Sequence, residues 1–235
     1  MRHVLEVLCD ASEFDELPVR HNEDELNARL ARRLADPLEA RAMDDAHTKA
    51  HLLFQAHMQR VPLPITDYLT DTKRALDQAL RVCQAMVDVA AAQGCLRPCL
   101  ATVRLLQMVV QAVWLGDSTL MCLPGVTSSN VGALVDALGG RAAASLPALI
   151  AAGADAVLAR LKKANVLSAA QQKDFVAALG KLPRITTTCK VSRQKQQQQQ
   201  QGEEKKEAEE VVKVEVVLQH AGGPRPSTTL LAYTP

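Results

Sequence analysis

Apolar residues return every three or four positions through the first 190 residues of this 235-residue chain, while the strand-like alternation "VVKVEVVLQ" appears only after residue 210. A period near 3.6 lines such positions along one face of a helix, so most of the chain must bury its hydrophobic surface by packing helix on helix. Asn22 precedes "EDELNARLARRL" with Glu25 three positions on, the arrangement of a capping box, and Leu26, Leu30 and Leu34 or Leu38 follow at helical spacing. Asp44 and Asp45 stand where they can cap a helix beginning near His47, which Pro62 and Pro64 then stop. A long helix is expected from Thr70 or Asp71, with Leu76, Leu80, Cys83, Val87 and Ala90 as its apolar face and Gly94 as its end. Pro98, tolerated in a first helical turn, opens another helix that reaches Trp114.

These features predict a mainly α chain with a helical bundle over residues 1–115. From 116 to 190 the texture changes to short helices punctuated by glycine, with Ser128 and Ser168 as expected N-caps and Gly139 and Gly180 as expected stops. This is read as a second, smaller helical unit. Residues 191–210, which include "SRQKQQQQQQGEEKKEAEE", are polar and of low complexity, so a disordered linker is expected there. In 211–235, "VVKVEVVLQ" and "TTLLAYTP" flank a Gly-Gly-Pro turn and read as two strands. Two strands alone are marginal in water, so the expectation is an incomplete β domain at that end. At the other end, Met1 falls directly before "RHVLEVLCDA", which looks like a helix already under way.

Composition narrows the function classes. Lys plus Arg number 27 against 26 acids, and a net charge of +1 supplies no general attraction to nucleic acid or membrane. The most apolar stretch, Leu100–Leu115, is interrupted by Arg104, Gln107 and Gln111 and is too short to cross a bilayer, so no membrane contact is expected. Six scattered cysteines inside helical patterns read as reduced thiols. "HTKAHLLFQAHMQR" holds His47 and His51 on one helix face, a spacing that offers two imidazoles to zinc, but no third ligand stands at a compelling spacing. "DDAH" has the form of a Mg²⁺-holding acidic box, yet "LEARAM" before it is no apolar strand and no GxxxxGK[ST] occurs anywhere. No catalytic residue, metal site or cofactor is expected within these residues.

Two stretches are candidates for nucleic-acid contact. "LPGVTSSNV", Leu123 to Val131, reads as a helix-hairpin-helix, whose backbone N–H groups face a phosphate; the candidate contacts are Gly125, Thr127 and Ser128. Thr127 takes the place of the usual second glycine, so a purely structural hairpin remains the alternative. Arg97, Arg104, Gln107, Gln111 and Trp114 recur at intervals of seven, three, four and three, a polar stripe ending in an aromatic. Such a stripe can meet a single strand with arginine on phosphate, glutamine on base edges and tryptophan as a stacking platform. The alternative is a solvated face with a half-buried tryptophan.

"LPVRHNEDELNARLA", "HTKAHLLFQAHMQR", "DYLTDTKRALDQALRVCQAMVDVAAAQG" and "LLQMVVQAVWLGDSTLMCLPGV", in that order, resemble the Sec-sixty-three homology unit that follows each motor cassette in Ski-two-like helicases. The resemblance covers about residues 1–190. It is nearer to the branch in the activating signal cointegrator complex than to the spliceosomal U5 branch. It implies a helical bundle, a helix-hairpin-helix unit and then an immunoglobulin-like β-sandwich, here truncated. It also implies that the helix from Arg97 to Trp114 is the ratchet helix tracking an unwound strand. The chain would then be a non-catalytic C-terminal module of an ATP-dependent 3′-to-5′ helicase, in which ATP and Mg²⁺ belong to the motor. Implied partners are the motor domains, in cis or in trans, a weakly held single strand, and other subunits of a complex. The implied setting is nucleus and cytosol, in alkylation repair or the splitting of collided ribosomes. Both RecA-like lobes and the winged helix are missing, and a glutamine-rich insert separates the hairpin unit from the sandwich. These departures keep a second reading alive, a stand-alone protein-interaction scaffold without nucleic-acid contact.

Overall fold

The computed structural model describes residues 1–36, 38, 42–182, 185–195 and 210–220. By internal packing the chain divides into two compact units, Met1–Val176 and Ala177–Pro235.

Helix α3 (Ala46–Gln59) lies at the centre of the first unit: every residue from Thr48 to Ala56, and Met58, is buried. Asp45 starts it as expected, its carboxylate accepting the Thr48 N–H at 2.7 Å and the Thr48 hydroxyl at 3.0 Å. Around it pack α1 (Arg2–Cys9), which buries Leu5, Leu8 and Cys9, α2 (Glu23–Ala31), the 26-residue α4 (Asp67–Ala92) and α5 (Leu96–Gln111). Phe14 meets Phe54 edge to face with ring centroids 5.5 Å apart, and both are buried in the same cluster as Leu5, Leu52 and Leu105.

Two local expectations change. Asn22 is in the left-handed region at φ 65° and makes no side-chain cap; instead the Glu23 carboxylate accepts the Arg20 N–H at 3.0 Å, so the reciprocal bond forms two residues earlier than the expected box. Helix α4 begins at Asp67, and its buried face is Tyr68, Asp71, Thr72, Ala75, Ala79, Val82, Cys83 and Ala90 rather than the expected leucine stripe. Leu76 is only half-buried and Leu80 is exposed, so beyond Tyr68 the residues turned inward are mostly small ones.

Beyond α5, a 3-10 turn at Thr119–Cys122 leads through Leu123–Val126 to the short helices α6 (Val131–Ala137), α7 (Leu146–Ala152), α8 (Ala154–Ala164) and α9 (Ala169–Lys181). Ser168 and Gln171 cap α9 reciprocally: the Ser168 hydroxyl accepts the Gln171 N–H at 3.3 Å, and Gln171 Oε1 accepts the Ser168 N–H at 2.9 Å. α9 runs one residue past Gly180, so that glycine is not the stop expected of it.

In the second unit, β1 (Ile185–Lys195) pairs antiparallel with β2 (Glu210–His220), Cys189 opposite Val216. β2 contains the expected "VVKVEVVLQ" strand, but its partner lies upstream, where the sequence reading has the end of the helical unit and the start of a disordered linker. Both strands are rich in β-branched residues, "ITTT" opening β1 and the valines running through β2, and Thr188 stands opposite Val217 in the ladder. The expected partner strand, 228–235, lies outside the described residues.

Candidate nucleic-acid interface

Helix α5 is anchored on one side and open on the other. Thr102, Leu105, Met108 and Val109 are buried, whereas Arg97, Arg104, Gln107 and Gln111 are exposed. At 100° per residue those four fall within an arc of roughly 80°. Leu100, 58% exposed, lies among them and Leu96, 67% exposed, at their edge, so the open face carries apolar surface beside its polar groups.

The inner side and the end of α5 are held by α3. His57 Nε2 donates to the Val109 carbonyl at 2.8 Å. Arg60, in the left-handed region at the end of α3, donates to the carbonyls of Ala112 at 2.9 Å and Met121 at 2.6 Å. One guanidinium therefore ties the end of α5 to the hairpin segment. The sequence reading missed it; the readable signal was an arginine two residues before Pro62, at a helix end that leaves carbonyls unpaired.

Trp114 does not finish the stripe. The helix ends at Gln111 and Ala112 is left-handed, so the three-residue step from Gln111 to Trp114 no longer keeps the same face. The indole is half-buried and packs against the bundle core, lining a shallow groove with Leu5, Leu105 and Met108. Gln111 is partly engaged, its Oε1 lying 3.3 Å from the Cys122 thiol. Burial pushes the Cys122 thiol up, against the opposing charge of Arg60.

In the hairpin segment, Gly125 is at φ 78°, and a Cβ there would stand 3.3 Å from Gln171 Cβ, so glycine lets the loop close onto the cap of α9. The Thr127 N–H, a candidate phosphate donor, is taken by Asn130 Oδ1 at 2.8 Å, and Asn130 Nδ2 donates to the Gly125 carbonyl at 2.9 Å. The Thr127 hydroxyl lies 2.8 Å from that of Ser129, and Ser128 is exposed in the turn before α6. Asn130 is thus the organiser of this loop, and it was not singled out in the sequence.

The histidine-rich helix is structural. His47 lies 2.8 Å from the Cys9 carbonyl and 3.0 Å from Asp15, and His51 is buried in the core. Among the described residues no group of three His, Cys, Asp or Glu is placed to hold a metal ion. No described helix is long and apolar enough to cross a membrane.

A buried ionic cluster sits between α2, α3 and α4. Lys49 Nζ, fully buried, donates to Glu23 at 2.6 Å, Asp71 at 2.8 Å and the Pro18 carbonyl at 2.6 Å, and lies 4.6 Å from the centre of the Tyr68 ring. Arg20 caps the cluster from the surface, bonding Asp71 at 2.6 Å and Glu23 at 2.9 Å. Burial pushes both carboxyls up, but the hydrogen bonds from Lys49 and Arg20 prevail and hold Glu23 and Asp71 below the usual carboxylate range. Burial raises the Tyr68 hydroxyl, with help from the two carboxylates, and it donates to Asn27 at 2.7 Å. Two cations balance the two enclosed anions, so the cluster reads as a tie between helices. Lys49 was legible as an odd position, because it falls on the same helical face as Leu52, Leu53 and Ala56.

The Sec63 Brl domain family model matches residues 1–228. Activating signal cointegrator 1 complex subunit 3 of Rattus norvegicus is 55% identical over 128 residues, which is 54% of this chain and 6% of that protein. The DExH-box ATP-dependent RNA helicase DExH14 of Arabidopsis thaliana is 48% identical over 131 residues, 55% of this chain and 6% of the relative. The human U5 small nuclear ribonucleoprotein 200 kDa helicase is 40% identical over 131 residues, 56% of this chain and again 6% of the relative. The chain thus spans about 6% of the length of these curated relatives. A match over nearly all of its residues, in a mainly helical chain, shows that it belongs to the Sec63 Brl domain family.

Proposed function

We propose that this chain is a non-catalytic module that works beside an ATP-dependent helicase motor, guiding the unwound strand along α5 and offering its outer surfaces to other subunits. The observation that carries this reading is the open face of α5. Arg97, Arg104, Gln107 and Gln111 stand exposed on one side of a helix whose other side is locked into the core. Arginines two turns apart can hold phosphates, glutamines can reach base edges, and Leu96 and Leu100 give bases an apolar surface to lie on. The cost of ordering the helix is already met by its packing against α3 and α4, so contacts to a moving strand need not hold it in shape.

The relatives are named as helicases and as a complex subunit, which supports a motor and partner subunits in cis or in trans. ATP and Mg²⁺ would belong to that motor, and a nuclear and cytosolic setting, a role in repair or ribosome rescue, a helix-hairpin-helix at Leu123–Val131 and an immunoglobulin-like β segment are parts of the same proposal. The hairpin's share in strand binding is small in this reading, because the Thr127 N–H is already bonded to Asn130.

The second reading, a protein-interaction scaffold, draws on that bonded N–H and on Trp114, which packs on the core instead of standing free. Fluorescence anisotropy of a labelled single-stranded oligonucleotide, titrated with the full chain at low and moderate salt, separates the two. Strand guidance expects salt-sensitive binding that Arg104→Ala/Gln111→Ala weakens. Absence of binding at low salt, or binding indifferent to that double substitution, favours the scaffold.

A further inference from the structure

Along α4 the bundle buries Tyr68 and a run of small side chains and leaves leucines outside. Ala75, Ala79 and Cys83 are buried, while Leu69 is 61% exposed, Leu80 is 39% exposed and Leu76 is half-buried. Leu69, Leu76 and Leu80 are seven and four residues apart and share one face of the helix. Exposed leucines at that spacing, with alanines turned inward, mark a face made for another surface.

That face does not stand alone. Leu69 and Leu76 form one wall of a groove of about 480 Å³, and Val61, Pro62 and Leu63, in the loop after α3, also line it. Thr72, also lining the groove, is 8% exposed, and its hydroxyl has no hydrogen-bond partner. The fully charged residues lining the groove, Arg60 and Lys73, are both cations; no acid lines it. Neither cation forms an ion pair among the described residues, and Arg60 directs its N–H groups to backbone carbonyls, which leave its charge uncompensated.

We propose that this groove receives an amphipathic helix of a partner protein, with leucine-like side chains on one face and aspartate or glutamate beside them. Helix-in-groove docking needs an apolar trough for side chains at successive turns, which Leu69, Leu76 and Pro62 supply, and complementary charge at the rim, which Lys73 and Arg60 supply. A nucleic-acid strand fits poorly, since two cations over an apolar trough neutralise few phosphates. A second copy of this chain fits poorly as well, because a two-fold contact would bring the same cations together. The inference rests on the partner-docking half of the proposed function and is independent of strand guidance by α5.

The test titrates the full chain into a fluorescein-labelled synthetic helix of about 18 residues, long enough to hold helical structure, with leucine at every third and fourth position and glutamate beside them. Its twin carries lysine in place of glutamate. The acidic helix is expected to bind about tenfold or more tightly than the twin, and Leu69→Asp to weaken it by about tenfold. Lys73→Glu, which sets one acid against the remaining Arg60, is expected to abolish the preference. Both altered residues are exposed, so circular dichroism and the unfolding midpoint should match the parent. Several results would overturn the proposal: no binding of the acidic helix, equal binding of the twins, indifference to Leu69→Asp, displacement by a single-stranded oligonucleotide, or a dimer in sedimentation that Leu69→Asp dissolves. Loss of the groove's binding with oligonucleotide binding intact removes this inference alone; loss of both removes the helicase-module reading with it.

Discussion

Helices α3 and α5 both interrupt an apolar pattern with polar residues, and the fold treats those residues in opposite ways. In α3, Lys49, His51 and Gln55 are fully enclosed; Lys49 binds Glu23 and Asp71, and Gln55 bonds both the N–H and the carbonyl of Asp36. In α5, Arg97, Arg104 and Gln107 face outward. A polar side chain inside the bundle must find its partner within the molecule, and it then contributes to stability and has nothing left to offer a ligand. One on the open face of α5 contributes little to stability and keeps its donors for something else. The difference separates the structural polar residues of this chain from the candidate binding ones better than residue type does.

That contrast can be broken by substitution. Lys49→Met removes the one enclosed cation and leaves Glu23 and Asp71 buried, with only Arg20 at the surface to answer them; the expected loss is about 3–5 kcal/mol in urea unfolding. An unchanged midpoint would mean that the cluster is no tie at all. Acid titration probes the same residues from the other side. Because Glu23 and Asp71 are held below the usual carboxylate range in the folded chain, their contribution is complete above about pH 5 and fades as pH falls through the lowered folded values. Thermal unfolding followed from pH 7 down to pH 3 should show that fall, and it should be shallower in Lys49→Met, where the carboxyls have lost the bonds that hold them down.

Tyr68→Phe strands the Asn27 side-chain oxygen beneath the ring, and about 1–3 kcal/mol should be lost with the helix content retained. The smallest effect belongs to α5: Arg104→Ala/Gln111→Ala should leave the urea midpoint where it was while weakening oligonucleotide binding. A large drop in stability there would place those residues in the same class as Lys49 and erase the contrast.

The reading of the sequence succeeded where one residue and its neighbours decide the outcome. Asp45 caps α3 and Ser168 caps α9, because a side-chain oxygen three residues ahead of an unpaired N–H is a local matter. It failed where the answer depends on which neighbour arrives. The leucines of α4 look like its core face in sequence, yet the bundle presses on Ala75 and Ala79, and only the placement of the surrounding helices could say so. Trp114 reads as the end of a stripe until the chain turns left-handed at Ala112 and swings the ring onto Leu105 and Met108. The Thr127 N–H looks open to a phosphate until Asn130 is seen to bond it.

By itself the sequence determined the helical character of the chain, the caps that start α3 and α9, and the motifs that tie it to its family, since each rests on periodicity or on contacts within a few residues. Tertiary structure alone decided which polar groups are enclosed and which are left to solvent. Arg20 with Glu23, Lys49, and Asp71 come from three separate stretches, and Leu69 gains its neighbours Val61 and Pro62 only when α3 and α4 pack. Burial is a property of the assembled neighbours, and no local pattern carries it.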